Sequence, residues 1–387
     1  MDYNKKYIKY KIKYIELCKK IDGNILLGGK KYNYCKLPKN AKLYFSHGGS
    51  ECIIAVLKDR VFKYFPLFID SYMNNVMISK KLNSFRYEIH ILKELTSNII
   101  NTKLSPHLIK FYDKHKCNKK PYDIFKNCKS YTENLLSSKR PDQKCNMLYS
   151  GYPMKIHKPM YVLEMEKADG SLENEIEHIS TQKWSIIEDF LNRIYFQIFY
   201  TLETIKKVYP IFEHDDLFIR NILFKQNKYD KATYIRYHYK NMVFDLHANG
   251  ISTKISDFGL CQLDKDSFTR FNISTNIVKD TYRDYFSILY DIYNGGNLGG
   301  KSLHSLIKNK NKLDSLDKYF NQFINIKTIK QIIKNNKKEK LDWDWSKMID
   351  LNLVKLFKMK QPLEYLKHFE QIYPYDKNHE IIEEYGL

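Results

Sequence analysis

The segment EHDDLFIRNILF places His214, Asp216 and Asn221 together, with an apolar run behind Asn221. A carboxylate can orient an attacking hydroxyl and take its proton, and a neutral amide oxygen close by can help to hold Mg2+. Downstream, KISDFGLCQL sets Asp257, Phe258 and Gly259 after a β-type run, so that a second carboxylate stands at the end of a strand. Upstream, RVFKYF presents Lys63 within a β-branched and aromatic strand, and FRYEIHILKEL carries Glu88 in a helical pattern. Each feature alone has an ordinary alternative. The first string also fits a polar turn between a helix and a strand, and Glu88 also fits a solvated helix face shared with Lys93 and Glu94.

The elements needed to position these groups can be read from the apolar spacing. Residues 41–112 read as strand, turn, strand, helix, strand: AKLYF, the turn SHGGS, IIAVL, RVFKYF, a helix around YEIHILKEL, then HLIKFY. Residues 113–158 are polar and hold no long apolar period, which predicts an insertion. A strand returns at Tyr161–Met165, and Ile186, Phe190, Leu191, Ile194, Ile198, Leu202 and Ile205 mark a long helix buried on one side. YIRYHYKNMVFDL has the character of a hairpin, a further apolar helix covers 283–293, and shorter basic helices are expected around 302–308, 327–335 and 361–372. Residues 3–21 carry Tyr3, Tyr7, Tyr10, Tyr14, Leu17 and Ile21 at steps of four and three, the pattern of an amphipathic helix that ends toward Gly28-Gly29.

Taken in order, these motifs resemble the protein kinases. His214-x-Asp216 with Asn221 is similar to the catalytic loop H-R-D-L-x-x-x-x-N, Asp257-Phe258-Gly259 to the D-F-G element, and Lys63 to the Lys of the V-A-I-K strand. The resemblance covers about residues 41–293 and implies an α+β, two-lobed fold. A small β-rich lobe would fall within 31–165 and a larger helical lobe within 166–387, after an N-terminal helix and linker over 1–30. It also implies the roles: Asp216 as the catalytic carboxylate, Asn221 and Asp257 as Mg2+ ligands, Lys63 on the nucleotide phosphates and Glu88 as its partner. Gly48 and Gly49 would approach phosphate as a Gly-rich loop does, although a plain hairpin turn fits them nearly as well. The run EKADGSL is similar to the hinge, so the backbone from Glu166 to Ala168 would meet adenine, with Met165 behind it. ATP and Mg2+ are the implied cofactors, and a protein substrate with Ser/Thr hydroxyls the implied acceptor. The stretched gap from Asn221 to Asp257 resembles haspin kinases and the poxvirus virion serine/threonine kinase, where a hairpin is inserted.

Three departures stand out. Asp215 replaces the Arg that precedes the catalytic Asp in many kinases, so switching by a loop phosphate is expected to be absent, the alternative being that Arg270 or Arg283 serves as the phosphate partner. Phe218 occupies the place of a phosphate-binding Lys, and no A-P-E follows the D-F-G. Two rival functions remain open at this level: a small-molecule kinase of the aminoglycoside or choline type, and a pseudokinase serving as a basic binding module. The D-F-G-L string favours protein acceptors over the first, and the joint presence of Lys63, Glu88, Asp216, Asn221 and Asp257 argues against the second.

Composition sets outer bounds. The 387 residues are 43% hydrophobic and 15% aromatic, enough for a full core, which excludes a disordered chain. The charge of +21, from 65 Lys and Arg against 44 Asp and Glu, predicts attraction to phosphates, anionic surfaces or acidic partners. Lys residues scattered singly beside 32 Tyr fit compositional drift as well. Seven cysteines in irregular spacing, with no C-x-x-C, predict free thiols in a reducing compartment. No apolar run is long enough to span a bilayer, and a soluble protein is expected. The opening MDYNKKYIKYKIKYIEL resembles a leader found on proteins of mimivirus-like giant viruses, implying host cytoplasm or virion as the location.

Overall fold

A computed structural model describes residues 42–45, 53–65, 68–69, 75–117, 155–156, 160–230, 232–263, 282–295, 302–331, 359 and 362–386. The expected helix at 3–21, Gly48 and Gly49, most of the insertion (118–154) and the segment 264–281 lie outside the described residues.

The first half is built on strands β1 (Lys42–Phe45), β2 (Ile53–Val56), β3 (Arg60–Phe65), β4 (Phe68–Ile69), β5 (Phe111–Cys117), β6 (Lys155–Ile156) and β7 (Met160–Glu166). Five of them form an antiparallel sheet in the order β1-β2-β3-β7-β5, while β4 and β6 pair separately. β3 is the middle strand. Its residues Phe62, Lys63, Tyr64 and Phe65 are all buried, because a strand flanked on both edges and covered on both faces leaves no solvated side. Lys63 therefore needs charged partners in the interior. Helix α1 (Asn75–Leu95) supplies one: Tyr87, Glu88, Ile89, Ile91, Leu92 and Leu95 are buried, and the helix runs into a π-helical turn at Thr96–Ile100. It begins earlier than the apolar pattern suggests.

After the two-residue strand β8 (Gly170–Ser171), the chain is mainly helical: α2 (Leu172–Ser180), α3 (Trp184–Val208), α4 (Arg283–Asn294), α5 (Leu303–Leu306), α6 (Lys310–Phe320) and α7 (Pro362–Glu370). α3 is the hub. Ile187, Leu191, Ile194, Ile198, Leu202 and Ile205 repeat at helical spacing and are all buried, and the opposite side is filled by aromatic rings. Phe199 lies 5.1 Å from Tyr285 of α4 and 5.0 Å from Tyr365 of α7, and Phe196 lies 5.8 Å from Phe369. Much of the Tyr content is thus core material, placed where ring pairs contribute beyond their buried area.

Between α3 and α4 run β9 (Ile222–Asn227), β10 (Thr233–Tyr239), β11 (Met242–His247) and β12 (Gly250–Ile255). β9 pairs with β12, and β10 with β11 as the expected hairpin. A last strand, β13 (Glu380–Tyr385), adds in parallel to β10. Asp245, fully buried at its side chain, gathers Arg236 at 2.7 Å, the backbone N–H of Asp376 and the ring of His379, and so fastens the segment before β13 to the hairpin.

Several expectations need correction. The strand anticipated from His107 begins at Phe111, because the preceding residues are engaged elsewhere: Ile109 donates to Ile255 O at 2.9 Å and Ile255 donates to His107 O at 2.9 Å. Residues 113–117 belong to β5, so the insertion starts after them. α2, α6 and β13 were not foreseen, and the helix expected over 302–308 shrinks to four residues. Cys117 is disulfide-bonded whereas Cys261 is a buried free thiol; irregular spacing along the chain does not prevent two cysteines from meeting in space. Among the described residues, no helix is long and apolar enough to cross a membrane.

Candidate active site

The N–H and C=O exchange at Ile255, Ile109 and His107 ties the chain behind α1 to the end of β12, directly before Asp257. That junction brings β3, α1 and the D-F-G string to one place. The Lys63 ammonium lies 2.6 Å from Glu88 Oε1 and 2.9 Å from Asp257 Oδ1. Glu88 is buried, which rules out the solvated helix face. The side chains of Lys63 and Glu88 are 7% and 6% exposed, whereas Asp257 is 35% exposed, so Asp257 is the member of the triad that faces outward. The Lys63 ammonium holds the Asp257 carboxyl below the ordinary range against the cost of burial. Asp257 also takes a left-handed backbone conformation, φ 61°, tolerable for Asp and held here by its surroundings.

Asp216 and Asn221 bracket a short 3-10 turn at Ile219–Asn221 between α3 and β9. The Asn221 amide nitrogen donates to the Asp216 backbone oxygen at 2.7 Å and to its Oδ2 at 2.8 Å, leaving the amide oxygen to face elsewhere. Helix α4 fixes the backbone of this loop. Asp284 accepts from the N–H of His214 at 2.8 Å and of Asp215 at 3.1 Å, and Asp291, two turns on, accepts from the N–H of Ile219 at 2.7 Å. Both carboxylates are buried. The loop and the D-F-G string are also laced together. His214 Nε2 meets Ser256 O at 3.0 Å, its ring packs 5.1 Å from Phe258, Ser256 donates from N and Oγ to Asn221 O, and the buried Cys261 thiol donates to His214 O at 3.3 Å.

One charged group, Arg220, went unassigned in the sequence, and Asp215 was noted there without its partner. Arg220 donates to Asp216 Oδ1 at 2.7 Å, and its guanidinium lies 4.6 Å from the centre of the Phe218 ring. The signal was present: Arg220 is four residues beyond Asp216, and the Phe218 ring forms a shelf for the Arg. Asp215, in left-handed conformation at φ 66°, forms an ion pair with Arg283 at the start of α4. Burial pushes its carboxyl up despite Arg283.

The residues at the end of β7 take up a further charge cluster. The Glu166 N–H donates to Lys110 O at 2.9 Å, and its carboxylate meets Lys225 at 2.5 Å and Lys254 at 3.3 Å. Burial opposes ionisation of Glu166, but Lys254 and Lys225 outweigh it and hold the carboxyl below the ordinary range. Ala168 is partly exposed two residues on, and Met165 is partly buried against the core. Of the expected site residues, then, Lys63, Glu88 and Asp257 come together, Asp216 pairs with Asn221 in the loop laced to Asp257, Glu166 and Ala168 sit at the end of β7, and Gly48 and Gly49 lie outside the described residues.

No family model matches the chain. A protein of Acanthamoeba polyphaga mimivirus named "Putative serine/threonine-protein kinase" is 28% identical to it over 322 residues, covering 75% of this chain and 78% of the relative. The chain is a divergent relative of a viral protein named as a protein kinase.

Proposed function

We propose that the protein is an ATP-dependent serine/threonine protein kinase of two-lobed architecture, with its lobes within about 31–165 and 166–387. The observation that carries this reading is the meeting of Lys63, Glu88 and Asp257 from three distant segments, beside a loop in which Asn221 holds Asp216. A binding module has no use for a buried ammonium clamped between two carboxylates next to a third, because such an arrangement costs desolvation.

The donor set fits Mg-ATP. Asn221 and Asp257 offer hard oxygen ligands, and among the described residues no group of three or more His, Cys, Asp or Glu could hold a metal by itself. Mg2+ ordinarily takes one or two protein oxygens and completes its shell with water and phosphate. Mg-ATP, when bound, supplies the transferable phosphoryl group and the metal charge that offsets its oxygens. The chain's own groups would do the rest. Lys63, fixed by Glu88, holds the α- and β-phosphates, while Asn221 and Asp257 hold the metal. Asp216 orients the acceptor hydroxyl and takes its proton, and Arg220, anchored on Asp216 and backed by Phe218, presents positive charge where the phosphoryl group carries negative charge. The Glu166 N–H is already bonded to Lys110 O, so the adenine edge falls to the Glu166 carbonyl and the Ala168 backbone.

Purified protein incubated with labelled ATP, Mg2+ and a mixture of acidic and basic proteins, followed by phosphoamino-acid analysis, tests this directly. Label on Ser and Thr is the expected result. Label only on added choline or aminoglycoside would transfer the reading to small-molecule acceptors, and absence of label from any acceptor would end it.

A further inference from the structure

Helix α4 grips the loop that carries Asp216 at three points. Two are the buried carboxylates of Asp284 and Asp291, which accept backbone N–H groups of His214, Asp215 and Ile219. The third joins side chains: Arg283, the first residue of α4, pairs with Asp215, the residue before Asp216. In kinases that are switched on by modification, an added phosphate pairs with an Arg and orders the segment around it. Here the loop position beside the catalytic carboxylate carries a negative side chain, and the cation comes from the helix. The charges are those of an Arg–phosphate pair with both members encoded in the sequence.

We infer that the Asp215–Arg283 pair is a built-in tie that sets the position of the Asp216 loop, so that the active arrangement forms without loop phosphorylation. The inference rests on the kinase reading above for its functional meaning. Three features support it. Asp215 adopts φ 66°, a conformation uncommon in non-glycine residues though open to Asp, and the ion pair with Arg283 accompanies it. The Asp215 carboxylate stands among Asp284 and Asp216, whose charges oppose its own, and Arg283 is the strongest attractive charge upon it. Without Arg283, three carboxylates on or beside one loop would repel one another, and the loop would relax away from α4. Lastly, a phosphate arriving beside Asp215 would be repelled, so the usual switch is disfavoured as well as unnecessary. Asp215 and Arg283 are positioning residues: neither needs to touch substrate.

The test uses full-length protein, wild type and the variants Asp215→Asn, Arg283→Ala and Arg283→Lys, each measured before and after phosphatase. Two readouts are taken: kcat with KM for ATP, and hydrogen exchange of the amides from His214 to Asn221. Wild type should keep its turnover after phosphatase. Arg283→Ala and Asp215→Asn should each lower kcat about tenfold, the equivalent of 1.4 kcal/mol, with KM for ATP changed less than about twofold. Both variants should speed exchange in the loop, and Arg283→Lys, which keeps the charge, should recover a large part of both effects. Wild-type turnover that collapses on phosphatase treatment would overturn the inference, as would loop exchange in Arg283→Ala equal to wild type. The exchange readout needs no activity. Loop exchange that responds as expected in a protein transferring no phosphate would keep the tie and reject the kinase reading, whereas normal transfer with unresponsive exchange would do the reverse.

Discussion

The ammonium of Lys63 and a carboxylate oxygen of Asp257 meet at 2.9 Å although 194 positions of chain separate them. The contact exists because β3 buries Lys63 in mid-sheet, because α1 supplies Glu88 behind it, and because the pairing of His107 and Ile109 with Ile255 delivers the end of β12 to the same point.

Lys63→Met removes the one positive member of this triad and takes the ammonium away from the buried Glu88 carboxylate. Breaking a buried pair from one side costs about 3 to 5 kcal/mol, so chemical denaturation should show a loss of that order. Phosphoryl transfer should fall by at least about 100-fold. A variant of wild-type stability would mean that Lys63 and Glu88 are not paired in solution.

Arg220→Ala removes the guanidinium on Asp216 without touching the metal ligands. Steady-state kinetics should show kcat lowered by about 10 to 100-fold, with a smaller change in KM for ATP. Arg220→Lys should restore only part of the rate, because an ammonium loses both the planar fork and the stacking on Phe218. Equal rates for Arg220→Lys and wild type would show that charge alone matters there.

Asp215 gives a pH dependence of stability with a definite sign. Its carboxyl is raised above the ordinary value of 3.8 by burial, so in the window just above that value the folded chain binds more protons than the unfolded one. Stability then falls as pH rises through the window, and the ionised group costs stability above it. Thermal unfolding followed from pH 4 upward should therefore find Asp215→Asn gaining on wild type as pH increases, even as its turnover is lower. A gap that narrows with pH would reverse the assigned direction.

The site was more legible in the sequence than the fold around it. Lys63, Glu88, Asp216, Asn221 and Asp257 could be singled out because their strings resemble the ordered motifs of protein kinases, and the structure brings Lys63, Glu88 and Asp257 together. α3 and the β10–β11 hairpin could be read because periods of 3.6 and 2 ran without interruption. What escaped depended on contacts between distant residues. β13 has the exposed, charged sequence EIIEEY and becomes a strand only by pairing with β10, held there by His238 on Glu384 and by the Asp245 cluster. The extended stretch at His107 was placed one element too early, because its partner is Ile255 and not the sheet. Arg220 looked like one more positive charge among 65 Lys and Arg residues; only its carboxylate partner sets it apart.

The most direct test of the central claim is Asp216→Asn, assayed in parallel for phosphoryl transfer and for the thermal shift produced by Mg-ATP. The substituted amide keeps an oxygen for Asn221 but can neither take a proton nor pair with Arg220, while Lys63, Glu88 and Asp257 are untouched. The account predicts turnover lowered by about 100 to 10,000-fold with the Mg-ATP shift retained. Near-normal turnover in that variant would contradict it, because Asp216 would then not be the carboxylate that receives the hydroxyl proton.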